Sequence, residues 1–168
     1  MSRLSIPAVV DAPAASQPLL AVVHKKLGVV PNLMKLLGQS PAALEGYLSL
    51  SGALDKGVLN AKLRETLALA VAEFNGCDYC LAAHSYIGKN LVKLTDDEIA
   101  QARDGRAADA RNDAALRFAQ RVAAERGRVL DADIAALRAA GFSDAETVEI
   151  VLHVALNVLT NYVNNVAH

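Results

Sequence analysis

The sequence predicts an all-α fold, and three observations support this prediction. Hydrophobic residues make up 53% of the 168 residues and aromatic residues only 4%, so Ala, Leu and Val supply the apolar content, as is typical of helix bundles. Apolar residues recur at helical spacing, with capping residues where the periodic segments begin. We find no segment with the pattern of a convincing β-strand.

The helices can be assigned in chain order. Residues 1–15 are rich in Pro and Ala and are expected to form an extended N-terminal arm. Helices are then expected at Ser16–Leu27, Pro31–Gly38, Pro41–Asp55, Ala61–Asn75, Asp78–Asn90, after the cap Thr95, and at Asp109–Arg126, Asp131–Ala140 and Asp144–Val166.

The helix that begins at Ala61 has the clearest signals. Asn60 is a favourable N-cap, and Gly76 is a favourable residue to end the helix. Its predicted apolar stripe consists of Leu63, Leu67, Val71 and Phe74.

Composition and charge limit the possible functions. The length fits one domain over residues 1–168. A net charge of −1 favours neither a nucleic acid nor an anionic membrane as partner. The longest apolar run, Val148–Val163, is too short and too polar to span a bilayer, and the N-terminus lacks a signal-peptide pattern. We therefore expect a soluble cytoplasmic protein whose apolar surface a partner subunit covers.

Two parts of the sequence show a degenerate similarity. A shift of 84 residues aligns Gly57 with Gly141, and the predicted N-cap Asn60 with the predicted N-cap Asp144. The same shift aligns Glu65, Cys77, Cys80 and His84 with Glu149, Asn161, Asn164 and His168. Either the chain contains a duplication whose second copy has lost its thiols, or two helical hairpins share caps and apolar stripes.

Both cysteines lie in one short motif. Cys77 and Cys80 form C-x-x-C directly after Gly76, which places them at the start of a helix. Unpaired backbone N–H groups and the positive end of the helix dipole favour a thiolate there. In a cytosolic protein such a pair is more often catalytic or metal-binding than structural.

A histidine and a glutamate are expected to join the cysteine pair. His84 follows Cys80 by four residues and therefore lies on the same helix face. Glu65 is on the preceding helix. At about 1.5 Å per residue, Glu65 and His84 lie roughly 15 Å and 12 Å from the turn, so they are predicted neighbours across the hairpin. Such a pair beside a thiol can relay a proton.

The C-x-x-C motif is also compatible with two different roles. Buried cysteines can simply fill space in a core. Cys77, Cys80 and His84 are also three possible zinc ligands, with His24 or His153 as a fourth, although a second ligand pair at close spacing is missing. A thioredoxin-like fold is excluded by the lack of a βαβ pattern.

The last helix carries a second notable pattern. Asn157, Asn161, Asn164 and Asn165 form a polar stripe on an otherwise apolar helix. The amides are expected to bond across a subunit interface or to the cysteine helix, and the alternative is that they face solvent.

These residues also carry a family resemblance. The motif Glu65-x11-Cys77-x2-Cys80-x3-His84 resembles that of the alkylhydroperoxidase D (AhpD-like) group of the carboxymuconolactone decarboxylase superfamily. The segments VPNLMKLLGQSPAALEGYL, LRETLALAVAEFNGCDYCLAAH and NVLTNYVNNVAH are similar to that group too. Tyr79 stands where the best-known members have a histidine, and this CDYC form resembles the peroxidase-related branch.

The resemblance implies an AhpD-like helical bundle, a trimeric or hexameric homo-oligomer, and antioxidant dithiol chemistry. It implies Cys80 as the thiolate that attacks an organic hydroperoxide or H2O2, and Cys77 as the resolving thiol. Glu65 and His84 are implied as the relay that activates Cys80 through a bound water, and Tyr79 is a further candidate catalytic residue. No cofactor or metal is required. The implied reductant is a dithiol, such as a lipoyl protein, and a peroxiredoxin is a further possible partner.

Two different functions compete with the peroxidase. One is the lactone decarboxylase or isomerase chemistry of the same superfamily, which does not need the C-x-x-C pair. The second is a non-enzymatic redox-sensing or zinc-binding module.

Overall fold

The computed structural model describes residues 3–168, which form only helices, turns and loops. The all-α prediction is confirmed. The α-helices of this range are α1 Gln17–Leu27, α2 Asn32–Leu37, α3 Pro41–Leu54, α4 Ala61–Phe74, α5 Asp78–Ile87, α6 Asp96–Arg103, α7 Ala110–Ala124, α8 Asp131–Ala139 and α9 Asp144–Ala167.

The chain falls into two compact units. One extends to Asp55 and includes Val163–His168, and the other is Lys56–Tyr162. In the first, the buried core contains Leu20, Met34 and Leu44. The prediction of one domain over residues 1–168 remains a prediction.

Helix α4 is the centre of the Lys56–Tyr162 unit. It packs against α5, α6 and α7. Leu63, Leu67 and Val71 are buried, as the stripe predicted, but Phe74 at the end of the helix is 49% exposed. Because three helices surround α4, its burial extends beyond one stripe to residues such as Leu69.

Side-chain caps fix several helix starts. The Asn60 side chain accepts the N–H of Leu63 at 2.9 Å, as predicted. Thr95 and Glu98 form a capping box at the start of α6. The predicted cap Asp144 is wrong, because the Oγ of Ser143 accepts the N–H of Glu146.

The structure differs from the predicted elements in two further places. The N-terminal arm contains two 3-10 turns, Val9–Asp11 and Ala14–Ser16, so it is not extended throughout. Its first two residues lie outside the described range. Helix α5 ends at Ile87 and continues as a π-helical turn, Gly88–Val92, that stops where Lys93 takes a positive φ of 65°.

The second half of the proposed duplication does not form a hairpin. Thr160 aligns with Gly76 at the shift of 84 residues, yet α9 runs unbroken through it. Thr160 cannot take a positive φ as easily as the glycine, and its Oγ donates to the carbonyl of Asn157 within the helix.

Candidate functional site

A tight turn connects α4 to the cysteine helix. Gly76 has a φ of 60°, in the left-handed region that glycine adopts without a steric penalty. The N–H of Cys77 donates back to the carbonyl of Ala72 at 3.0 Å, and the N–H of Gly76 donates to Glu73 at 3.0 Å. These bonds satisfy the last carbonyls of α4 and reverse the chain.

Cys77 occupies the N-cap position of α5. Its Sγ lies 3.4 Å from the backbone nitrogen of Cys80 and accepts that N–H. The prediction that the motif begins a helix is therefore confirmed. At this position the backbone donors and the helix dipole stabilise negative charge on a sulfur when the pair is reduced.

Cys77 and Cys80 are joined in a disulfide, with their Cα atoms 5.3 Å apart. Cys77 is 1% exposed and Cys80 3% exposed. In this oxidised form both sulfurs belong to the core of the Lys56–Tyr162 unit. The pair has the geometry required to alternate between a dithiol and a disulfide within one turn of helix.

Glu65 on α4 and His84 on α5 are in contact. The Nδ1 of His84 lies 2.7 Å from the Oε1 of Glu65, so the predicted contact across the hairpin is confirmed. The side chain of His84 is 23% exposed and that of Glu65 13% exposed. In the tautomer that pairs with an ionised carboxylate, Nδ1 carries the proton and donates the hydrogen bond, and Nε2 is the acceptor nitrogen.

The π-helical turn packs beside this pair. Gly88 is buried, and a Cβ placed on it would meet Leu94 at 3.0 Å and the Cγ of Glu65 at 3.7 Å. The turn thus lies beside the stem of Glu65, and a Cβ at 88 would crowd Leu94 while meeting Glu65 at an ordinary van der Waals distance. Such π-helical turns are frequent near functional sites.

Three further residues are candidates by their sequence positions. Glu73, which also precedes the cysteines, pairs with Arg103 at 2.6 Å and is not part of the Glu65–His84 contact. Tyr79, between the two cysteines, is half-buried and packs against the core. His153 is buried in α9.

The asparagine stripe on α9 is mostly buried. Asn157, Asn161 and Asn164 are 6%, 0% and 6% exposed, so the solvent-facing alternative is wrong for them. Asn161 accepts a hydrogen bond from Asn75, the residue before Gly76. Asn75 was missed by sequence reasoning, and its position beside the C-x-x-C turn was the available signal.

Within residues 3–168, no three or more His, Cys, Asp or Glu side chains form a group suited to a metal ion. None of the helices in this part of the chain combines the length and apolar character that a bilayer span requires.

Comparison with solved structures gives matches over nearly the whole chain. An uncharacterized peroxidase-related protein from Ralstonia eutropha, described as an alkylhydroperoxidase AhpD core, is 29% identical with a TM-score of 0.85, and the match covers 98% of this chain and 88% of that one. An uncharacterized peroxidase-related protein from Silicibacter is 25% identical with a TM-score of 0.85, over 99% of this chain and 89% of that one.

Sequence comparison identifies the family. An uncharacterized protein of Haemophilus influenzae is 46% identical over 48 residues, which is 28% of this chain and only 42% of that protein. The model of the carboxymuconolactone decarboxylase family matches residues 41–125, from the start of α3 to just past α7. That segment is half of the chain and contains Glu65, Cys77, Cys80 and His84, and the chain therefore belongs to the carboxymuconolactone decarboxylase family, with an AhpD-like fold.

Proposed function

We propose that this protein is a thiol peroxidase that reduces organic hydroperoxides or H2O2 through a dithiol–disulfide cycle. The single observation that carries the proposal is the Cys77–Cys80 disulfide at the start of α5, in a hairpin that also pairs Glu65 with His84 at 2.7 Å. The likeness to two peroxidase-related proteins supports the same class of chemistry.

The first step is oxidation of Cys80. Its thiolate attacks one oxygen of the peroxide, the S–O bond forms, and the O–O bond breaks. The leaving alkoxide or hydroxide takes a proton and departs as alcohol or water. His84, four residues further along α5, supplies this proton after taking it from the Cys80 thiol, and Glu65 stabilises the charged imidazole in between.

The second step forms the disulfide. The sulfur of Cys77 attacks the sulfenic sulfur of Cys80, the S–S bond forms, the S–O bond breaks, and water leaves. An external dithiol then restores both thiols by exchange and is itself oxidised to a disulfide. We propose a lipoyl group as this dithiol, and the cytoplasm as the compartment. The cycle requires no metal, flavin or haem.

Copies of the chain are proposed to associate through α9. The exposed residues of this helix between Glu149 and Val163 are all apolar, namely Val151, Leu152, Ala155, Leu159 and Tyr162. Buried positions on the same helix are in contrast often polar, as at His153, Asn157, Thr160 and Asn161. An exposed apolar face on such a helix is stable in water once a second apolar surface covers it.

Counting free thiols tests the proposed function. One equivalent of an organic hydroperoxide is added to the reduced protein, and thiols are titrated before and after. The proposal predicts the loss of two thiols per chain and their recovery with dihydrolipoamide. Thiols that survive the peroxide would contradict it, and turnover of a lactone or bound zinc in that case would indicate the competing functions. The Cys80→Ser variant is the matched control and should lose all turnover.

A further inference from the structure

A buried amide on α9 contacts the turn that precedes Cys77. Asn161 is 0% exposed. Its Oδ1 accepts a hydrogen bond from the Nδ2 of Asn75 at 2.9 Å, across 86 positions of sequence. Both residues belong to the Lys56–Tyr162 unit.

Asn75 lies at the start of the turn that positions Cys77. It caps the C-terminal end of α4 and is followed directly by Gly76 and Cys77. The positive φ of Gly76 and the bond from the Cys77 N–H to Ala72 define the path of the turn. The side-chain hydrogen bond from Asn75 to Asn161 fixes this turn to α9.

Asn161 is a costly residue for its position. Burying an amide in a helical core is unfavourable unless its polar atoms are hydrogen-bonded. Among residues 3–168, the buried Nδ2 of Asn161 has no hydrogen-bond partner. A leucine would fill similar space without this penalty, so packing alone does not account for an asparagine here. What the Asn161 amide provides and a leucine could not is the hydrogen bond with Asn75.

We propose that Asn161 is a positioning residue for the resolving cysteine. By holding Asn75, it keeps the turn in the one place from which the sulfur of Cys77 reaches that of Cys80. This inference rests on the proposed function. It assigns the effect to formation and retention of the disulfide, and it leaves the attack of Cys80 on the peroxide unchanged.

The test compares two leucine substitutions on one helix. Asn161→Leu removes the hydrogen bond with Asn75 in the turn. Asn157→Leu is the matched control, because Asn157 is also a buried amide but its Nδ2 donates to the backbone carbonyl of His153 within α9. Each variant loses one side-chain hydrogen bond, and its melting temperature reports the purely structural effect of the substitution.

Two readouts separate positioning from stability. The first is the lifetime of the Cys80 sulfenic acid after one equivalent of cumene hydroperoxide, followed by dimedone trapping. The second is the equilibrium of the Cys77–Cys80 disulfide with dithiothreitol, which needs no peroxide. We expect Asn161→Leu to lengthen the lifetime and to make the disulfide easier to reduce, each by about fivefold, whereas Asn157→Leu leaves both near wild type.

A second variant covers the case in which Asn161→Leu does not fold. Asn75→Ala removes the donor of the same hydrogen bond, at a half-buried position. It is expected to shift both readouts in the same direction.

The inference is overturned if folded Asn161→Leu, or folded Asn75→Ala in its place, matches Asn157→Leu in both readouts. A wild-type protein that forms no sulfenic acid would instead contradict the peroxidase proposal, and the dithiothreitol equilibrium would still decide whether Asn161 positions Cys77.

Discussion

At the scale of single residues, the contact between Glu65 and His84 determines what the imidazole can do. Oε1 of Glu65 lies 2.7 Å from Nδ1 of His84, and this hydrogen bond orients the ring. The other ring nitrogen, Nε2, stays outside this bond. Both side chains are more than three-quarters buried, which strengthens the interaction relative to a surface pair.

Glu65→Gln tests this contact. The amide keeps the shape of the side chain but lacks the charge that stabilises a protonated imidazole. We expect peroxidase kcat/KM to fall by about 100-fold, as for loss of general acid–base assistance. Steady-state assays with an organic hydroperoxide measure this.

Glu73→Gln is the control for that experiment. Glu73 lies on the same helix, but its carboxylate pairs with Arg103. Activity close to wild type is expected for this variant. Equal losses in the two variants would show that the Glu65 effect is a general one on α4.

Asp113 gives a prediction about acid stability. Desolvation raises its pKa, but hydrogen bonds from Arg106, Arg117 and the backbone N–H of Ala107 outweigh this and lower the pKa from 3.8 to about 2. A lowered pKa means that the folded state is favoured while the carboxylate is ionised. This contribution is complete above the unfolded pKa and is lost as the pH falls towards the folded value.

Asp113→Asn should therefore be less stable than wild type at pH 7 by about 1–2 kcal/mol, with the difference shrinking between about pH 4 and pH 2. Urea unfolding at a series of pH values measures both quantities. Stability curves that run parallel down to pH 2 would be inconsistent with this assignment.

Residue-level prediction from sequence succeeded where spacing within one hairpin was enough. Glu65 and His84 could be matched because both distances count from the same turn. The contact between Asn75 and Asn161 could not be found in this way, since it depends on how α9 packs against the end of α4. The polar character of the α9 stripe was visible in the sequence, but its partner was not.

At the scale of secondary-structure elements, two glycines hold turns for different reasons. Gly76 needs its positive φ, while the space around its Cβ position is open. Gly57 is limited by space, because a Cβ there would overlap the carboxylate of Glu149. That carboxylate accepts the N–H groups of Val58 and Leu59 and so fixes the segment that leads into α4.

Gly57→Ala is expected to displace the Glu149 carboxylate from these donors. The loss of hydrogen bonds at a partly buried turn should lower the free energy of unfolding by about 1–3 kcal/mol. Gly46→Ala is the control, since Gly46 is within α3 and its Cβ would meet nothing within 4 Å. Chemical denaturation should show that Gly46→Ala is as stable as wild type or more stable. A Gly57→Ala protein of unchanged stability would refute the role given to Glu149.

The helix boundaries were largely predictable, and the exceptions have physical causes. Caps such as Asn60 and Thr95 act locally, so their sequence signals are reliable. The π-helical turn after α5 is different, because Gly88 within it lies close to Glu65 of α4 as well as to Leu94, just past the turn. The supposed second hairpin failed for lack of a glycine at Thr160.

At the scale of the whole molecule, the main feature is the distribution of side chains on α9, where several buried positions are polar and most of the exposed ones are apolar. Its exposed side chains between Glu149 and Val163 are apolar, including Leu159 at 40% and Tyr162 at 56% exposure. The sequence pattern alone identified an apolar run over Val148–Val163 and treated solvent exposure of its amides as an alternative. Only the fold shows which face is turned outward.

Leu159→Glu is expected to dissociate the proposed oligomer. Placing a charge at the centre of an apolar interface carries a large desolvation cost, so the molar mass by light scattering should fall to that of one chain. Val22→Glu is the control, because Val22 is 62% exposed on α1, away from α9 in sequence. It should leave the molar mass unchanged. A wild-type protein that is already monomeric at micromolar concentration would rule out the α9 interface.

The most direct test of the central claim is to locate the oxidised sulfur. The Cys77→Ser variant is reduced, mixed with one equivalent of an organic hydroperoxide in the presence of dimedone, and analysed by peptide mass spectrometry. Peroxide attack by Cys80 predicts a dimedone adduct on Cys80 that forms faster than in a Cys77→Ser, Glu65→Gln double variant. If Cys80 remains an unmodified thiol, the proposed peroxidase cycle is wrong.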